Sequence, residues 1–175
     1  KIGTQFDEII NENVSKFLST TGETDLVKLA EAVPIITILE AIIENAVVMN
    51  ASDIHFEPQE KSVLVRYRVD GILQEILSLH QALAPTLVAR VKILANLKID
   101  EHRQPQDGRF RFSLEEAGRI DIRVNIMPVL YGEKVEMRLL KSSSRPMSLE
   151  ELGLAPQDVK AVKSEMQKPN GMILV

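Results

Sequence analysis

Residues 119–127 read RIDIRVNIM and residues 133–140 read EKVEMRLL. Both alternate. Ile120, Ile122, Val124 and Ile126 fall on one side of the first stretch, and Val135, Met137 and Leu139 on one side of the second. A period of two marks a strand with one buried face. Burying both apolar sets fixes the parity of their pairing, because a slip of one residue would turn a whole face over. If Ile126 lies opposite Val135, Val124 meets Met137 and Arg123 meets Arg138. A shift of two residues would leave those arginines diagonal but still close.

The neighbouring sequence extends the same pattern. Val63, Val65, Tyr67 and Val69 alternate with Leu64, Arg66 and Arg68, and Asp70-Gly71 follows as a two-residue turn. Asp and Gly tolerate the positive φ angles such a turn requires. A two-residue loop pairs Val69 with Ile72, Tyr67 with Gln74, Arg66 with Glu75 and Val65 with Ile76. Residues 53–57, closed by Pro58, form a further strand, as do 109–113, 118–127 and 133–140. Ile35, Ile38, Leu39, Ile42, Ala46 and Met49 recur at helical spacing behind Pro34, so the sequence predicts a buried helix over 35–49. Leu83, Leu87, Val91, Leu94 and Leu97 predict a second over 81–97. A polar loop spans 100–109, with Asp107-Gly108 as a tight turn. Antiparallel strands with two apolar-faced helices predict an α+β domain over about 34–141, its sheet packed on helices with one face and partly wet on the other.

On either side of that domain the organisation changes. Residues 1–33 read as an acidic connector with weak helical periodicity, broken at Ser19-Thr20-Thr21-Gly22. Residues 142–148, opening Ser142-Ser143-Ser144-Arg145-Pro146, read as a linker. The tail predicts one short helix at about 156–167, and Met172 to Val175 read as the start of a buried strand.

Composition narrows the function. The 175 residues contain no cysteine, which excludes disulfides and thiolate metal sites, and their three histidines lie too far apart in sequence to suggest a metal cluster. No apolar run approaches the roughly 18 to 20 residues that span a bilayer. A cytoplasmic location is therefore expected. Charge is graded along the chain: residues 1–50 hold eight acidic residues and three lysines, residues 62–141 thirteen Lys and Arg against ten Asp and Glu. That mildly basic middle suits a small anion. It falls short of a nucleic-acid footprint, and 4% aromatic content leaves few bases to be stacked.

Arg123 and Arg138 are the candidate site. Two guanidinium groups side by side repel, and neither can shed its proton. Their planar donor forks suit phosphate oxygens. The residues alone leave a second reading open, in which Asp121 and Glu136 neutralise the pair on a solvated face. Arg103 and Arg109, at the two ends of the polar loop, either join the anion surface or hold the loop against the sheet. Asp53 and His55 share a strand face with no nucleophile beside them, so a satisfied structural histidine is expected there.

Six strings carry a resemblance. ASDIHFEP (51–58), VRYRVDG (65–71), RQPQDGR (103–109), DIRVNIMP (121–128), GEKVEMRLL (132–140) and KPNGMILV (168–175) occur in this order. Together they closely resemble the ATPases of type II secretion and type IV pilus assembly, over about 34–175. The resemblance implies a PAS-like second N-terminal domain over 34–141, a hinge at 142–148, and the first elements of an α/β P-loop ATPase domain from 149. In that family the strand matching Met172–Val175 runs into a phosphate-binding loop, so the sequence is expected to stop short of it and not to hydrolyse ATP by itself.

Function follows by the same route. The family's cofactors, ATP and Mg²⁺, would be bound by the longer protein and not by this segment alone. Arg123 and Arg138 match the arginines that the family brings to the ATP phosphates, in the C-terminal ATPase domain of their own or a neighbouring subunit. The implied assembly is a cytoplasmic homo-hexamer, peripheral to the inner membrane through a platform protein or other secretion components, with no direct span and no nucleic acid. Outside the resemblance, a stand-alone anion- or nucleotide-binding module and a protein-interaction scaffold remain open.

Overall fold

In a computed structural model of the chain, the two opening stretches pair as antiparallel strands β5 (Gly118–Val129) and β6 (Gly132–Lys141), with Ile126 opposite Val135 and Arg123 opposite Arg138. The structure describes residues 2–19, 25–114, 118–141 and 148–174. These fall into two units, 1–141 and 142–175.

The first unit is an α+β domain built on six strands. Strands β1 (Asp53–Pro58), β2 (Ser62–Val69) and β3 (Ile72–His80) form one antiparallel meander, and β4 (Gln106–Leu114), β5 and β6 form a second. The two join through β1 and β6, giving the order β3-β2-β1-β6-β5-β4. Asp70 and Gly71 both take positive φ, 49° and 82°, as the two-residue hairpin turn demands. Val69, Tyr67 and Arg66 meet their expected partners Ile72, Gln74 and Glu75, but Val65 meets Leu77 in place of Ile76. A bulge between Val65 and Arg66 inserts the extra residue.

The apolar face of the sheet packs on helices α3 (Val33–Val48) and α4 (Ala84–Leu94), α1 (Ile2–Ser19) lies against α3, and short α2 (Leu26–Ala30) lies against α3 and α4. Ile35, Ile38, Leu39 and Ile42 of α3 share one buried cluster with Ile54, Phe56, Val65, Tyr67, Ile122, Val124, Val135 and Met137. The Tyr67 hydroxyl donates to the Ile42 carbonyl at 2.6 Å, joining β2 to α3.

Three expectations are corrected in this unit. Residues 1–33 are not separate from the core: Phe6 and Ile10 of α1 are buried in that same cluster, so part of the acidic segment is an amphipathic helix of the domain. The second helix ends at Leu94, not Leu97. Asn96 adopts φ 56° and the Leu97 N–H turns back to the Lys92 carbonyl, which closes the helix end, while residues 81–83 form a 3₁₀ turn before it. Asp107-Gly108 is no turn but the second and third residues of β4. Gly108 is required by space, since a Cβ there would lie 2.9 Å from Leu97 Cδ2 and 3.0 Å from the Ala95 carbonyl oxygen.

Buried Lys92 fastens α4 to the rest. Its ammonium lies 2.7 Å from Glu133 Oε1 beside the β5–β6 turn and donates to the Glu101 carbonyl at 2.6 Å.

In the second unit, α5 (Pro156–Met166) begins with proline at a position that needs no N–H, and buries Val159. Ahead of it Ser148 and Glu151 cap one another's backbone N–H groups, and Lys163 pairs with Glu150 at 2.9 Å. Residues 171–174 are not a strand, and Met172, Ile173 and Leu174 are exposed. A strand needs a neighbour for its hydrogen bonds, and no strand exists among the described residues of this unit. Of the linker expected at 142–148, residues 142–147 lie outside the described residues. Among the described residues no helix is long and apolar enough to cross a membrane.

Candidate functional site

Cross-strand neighbours on one face of a sheet form a row, and one row here carries five charged residues. Across the polar face it runs Arg109 on β4, Arg123 on β5, Arg138 on β6, Asp53 on β1 and Arg68 on β2. Four guanidinium groups thus share a single carboxylate within the row. Burial of the alternating apolar residues on the other face forces all five to this side.

Asp53 sits near the middle of the sheet and is buried, its side chain 4% exposed. Oδ1 accepts from Arg138 Nε at 2.9 Å, Oδ2 lies 3.2 Å from Arg68 Nε, and the Ser52 hydroxyl donates to Oδ2 at 2.8 Å. Burial alone would push the Asp53 carboxyl up. The hydrogen bonds from Arg138 and Ser52 and the two positive charges outweigh it and hold the group below the usual carboxylate range. Asp53 is therefore an anion at neutral pH.

Arg123 differs from Arg138. It is exposed, and no ion pair or hydrogen bond reaches its side chain among the described residues. Neutralisation by Asp121 is ruled out by geometry, because Asp121 is engaged by Arg111, Nε to Oδ1 at 2.7 Å and Nη2 to Oδ2 at 3.4 Å. Glu136 does reach Arg138, with Oε1 3.5 Å from Nη2. The bland reading therefore holds in part for Arg138, chiefly through Asp53, and fails for Arg123. Beside Arg123 the sheet face forms a cleft of about 470 Å³ lined by Arg109, Arg111, Asp121, Arg123 and Leu140.

The two loop arginines separate. Arg109 stands directly opposite Arg123 and joins the row. Arg103 does not. It lies in the loop before β4, its backbone N–H held by the Glu101 carboxylate at 2.6 Å, where the preceding residue, His102, bonds Glu133 beside the β5–β6 turn. His55 occupies the adjacent row, between Arg66 and Glu136. It is buried, yet neither ring nitrogen finds a hydrogen-bond partner among the described residues, so it is not the satisfied histidine expected. Burial holds its pKa below the ordinary histidine value.

Comparison with known proteins gives this arrangement a context. Residues 28–175 match the family described as Type II/IV secretion system protein. The chain belongs to this family. It is 44% identical over 152 residues to the type II secretion system protein E of Pseudomonas aeruginosa, and 40% identical over 148 residues to the type IV pilus assembly ATPase PilB of Acinetobacter baylyi. Those alignments cover 86% and 85% of this chain but only 30% and 26% of the relatives. A PilB of Myxococcus xanthus matches at 35% over 99% of the chain and 31% of its own length. The fold is shared with the ATPase DotB of Legionella pneumophila, at a TM-score of 0.50 and 20% identity over 71% of this chain and 34% of that one.

Within this secretion-family chain, the sequence pattern brought Arg123 and Arg138 close together but did not show Asp53 as the partner of Arg138 and Arg68. The parity of β1 already placed Asp53 and His55 on the polar face. What the sequence did not show is that β1 lies against β6, a pairing between residues 85 apart in the chain.

Proposed function

We propose that this chain is the coupling domain of an ATPase that powers type II secretion or type IV pilus assembly, and that its sheet face delivers guanidinium groups to ATP phosphates held elsewhere in the longer protein. The observation that carries the reading is Arg123, exposed and unpaired among the described residues, opposite Arg138 in a row that also holds Arg109. Uncompensated neighbouring cations are costly on a sheet unless an anion meets them. A phosphate supplies that anion, and planar donor forks match its oxygens.

The chemistry proposed is charge stabilisation. Negative charge redistributes over the γ-phosphoryl oxygens during transfer, and fixed guanidinium donors brought up in a water-excluded site stabilise it. Mg²⁺, where bound, would supply further positive charge to the phosphates. Among the described residues no group of three or more His, Asp or Glu side chains converges to hold it, so these residues are assigned to the phosphates alone. Because the chain spans about 30% or less of the first relatives it matches, the nucleotide-holding loop is assigned to the remaining length. Closure of this domain over that site would couple hydrolysis to movement. Six subunits in a cytoplasmic ring would act on an inner-membrane platform.

In a protein extended to the length of these relatives, Arg123→Ala and Arg138→Ala should each lower the turnover number for ATP by roughly a hundredfold, with the fold unchanged by circular dichroism. Wild-type turnover in both variants would refute the assignment.

A further inference from the structure

Arg138 and Arg123 stand in the same row but are held in different ways, and the difference lies in Asp53. Asp53 takes Arg138 by Nε alone, at 2.9 Å. A guanidinium engaged at Nε keeps donor capacity at its terminal nitrogens, here with Nη2 at 3.5 Å from the half-buried Glu136 Oε1, whereas the two-nitrogen fork that Arg111 makes to Asp121 uses up a whole edge. The second oxygen of Asp53 is already occupied by Arg68 and Ser52. It is therefore not available to close a fork on Arg138. Arg68 is in turn anchored, its Nη1 donating to the Gly71 carbonyl at 3.1 Å. The carboxylate itself is buried while the Arg138 side chain is 58% exposed, so the anchor lies in the sheet and the free end of the guanidinium lies outside it.

We propose that Asp53 is a positioning residue for Arg138, and that Arg68 and Ser52 set its grip by occupying Oδ2, so that Arg138 is held by Nε and keeps its terminal nitrogens to meet a phosphate. This rests on the reading that Arg138 meets a phosphate. A long arginine side chain loses rotamer freedom when it binds, and holding it beforehand removes that cost from the binding step. Arg123 has no such restraint from a carboxylate among the described residues. The pair thus combines one fixed and one adjustable donor.

The test is a double-mutant cycle on ATP turnover in the extended protein, using Asp53→Asn, which keeps the shape of the side chain and removes its charge. Asp53→Asn should lower the turnover number roughly tenfold, and Asp53→Asn combined with Arg138→Ala should be no slower than Arg138→Ala alone, because the clamp then has nothing to hold. Combined with Arg123→Ala, the loss should multiply. If Asp53→Asn costs nothing while Arg138→Ala costs turnover, the clamp is refuted and the phosphate reading survives. If Arg138→Ala itself costs nothing, the phosphate reading fails first. Losses that multiply with Arg138→Ala would mark Asp53 as merely structural. Should Asp53→Asn not fold, NMR of the wild-type 175-residue chain decides: the Arg138 Nε–H should exchange with water at least roughly tenfold more slowly than that of Arg123, and equal rates would overturn the proposal.

Discussion

Arg123 and Arg138 face each other across β5 and β6, and only Arg138 is tied to the buried carboxylate of Asp53. The two arginines are thus alike in position and unlike in environment. On stability alone they should diverge. Arg123→Ala removes a repulsion and no ion pair, so the urea midpoint of the chain should hold or rise. Arg138→Ala leaves Asp53 buried with one donor fewer, so the midpoint should fall. Equal losses would show that Arg123 has a structural partner.

His55 gives the fold a pH dependence near neutrality. Burial lowers its folded pKa from the ordinary 6.5, so the unfolded chain binds more protons between the two values. Stability should therefore fall as pH is lowered through about 6.5, and His55→Leu should flatten that slope. Urea titrations at several pH values measure it; an unchanged slope would point to another group.

At lower pH the carboxylates take over. Asp53 and Glu57 are both pushed up by burial, but hydrogen bonds from Arg138 and Ser52 to the first, and from Lys134 and Arg66 to the second, bring them below their ordinary values. A depressed folded pKa contributes stability that is present above the unfolded pKa and lost as pH falls through the folded one. Acid unfolding should begin below about pH 4, and Asp53→Asn should reduce the slope there; because the Asp53 charge also favours protonated His55, the same change should carry the His55 slope to lower pH.

Phe6 tests whether the first helix belongs to the domain. It is buried in the same cluster as α3 and the sheet, and Phe6→Ala should cost about 3 kcal/mol. A change near zero by urea denaturation would return residues 2–19 to the role of a detached connector.

Gly108→Ala should destabilise by about 1–3 kcal/mol. The new methyl would press on Leu97 Cδ2, which can move, and on the Ala95 carbonyl oxygen, which is backbone and cannot readily do so. A neutral result would mean that β4 lifts away from the end of α4 at little cost.

Much of the sheet was legible because burial leaves parity no freedom. Ile120, Ile122, Val124 and Ile126 against Val135, Met137 and Leu139 fixed which side Arg123 and Arg138 take, and of the registers this left open the structure has the one that sets them opposite each other. Local sequence could not give the rest. The bulge at Val65/Arg66 breaks no apolar alternation in β2, and Asp107-Gly108 has turn composition although its glycine serves close packing. Phe6 and Ile10 were hidden by the acidic residues around them, which cover the outer face of the same helix. Asp53 escaped as a partner for a different reason: its neighbour on β6 is fixed by tertiary topology. Acid–base pairs within one hairpin can be read from a sequence, but those between distant strands need the strand order.

The central claim concerns where these guanidinium groups go when nucleotide is bound. A structure of the extended protein with a non-hydrolysable ATP analogue and Mg²⁺ tests it most directly. It should place Arg123 and Arg138 nitrogens at about 2.7–3.1 Å from phosphate oxygens, with Arg138 Nε still on Asp53. Nucleotide bound with both arginines remaining in solvent, in every subunit, would contradict it.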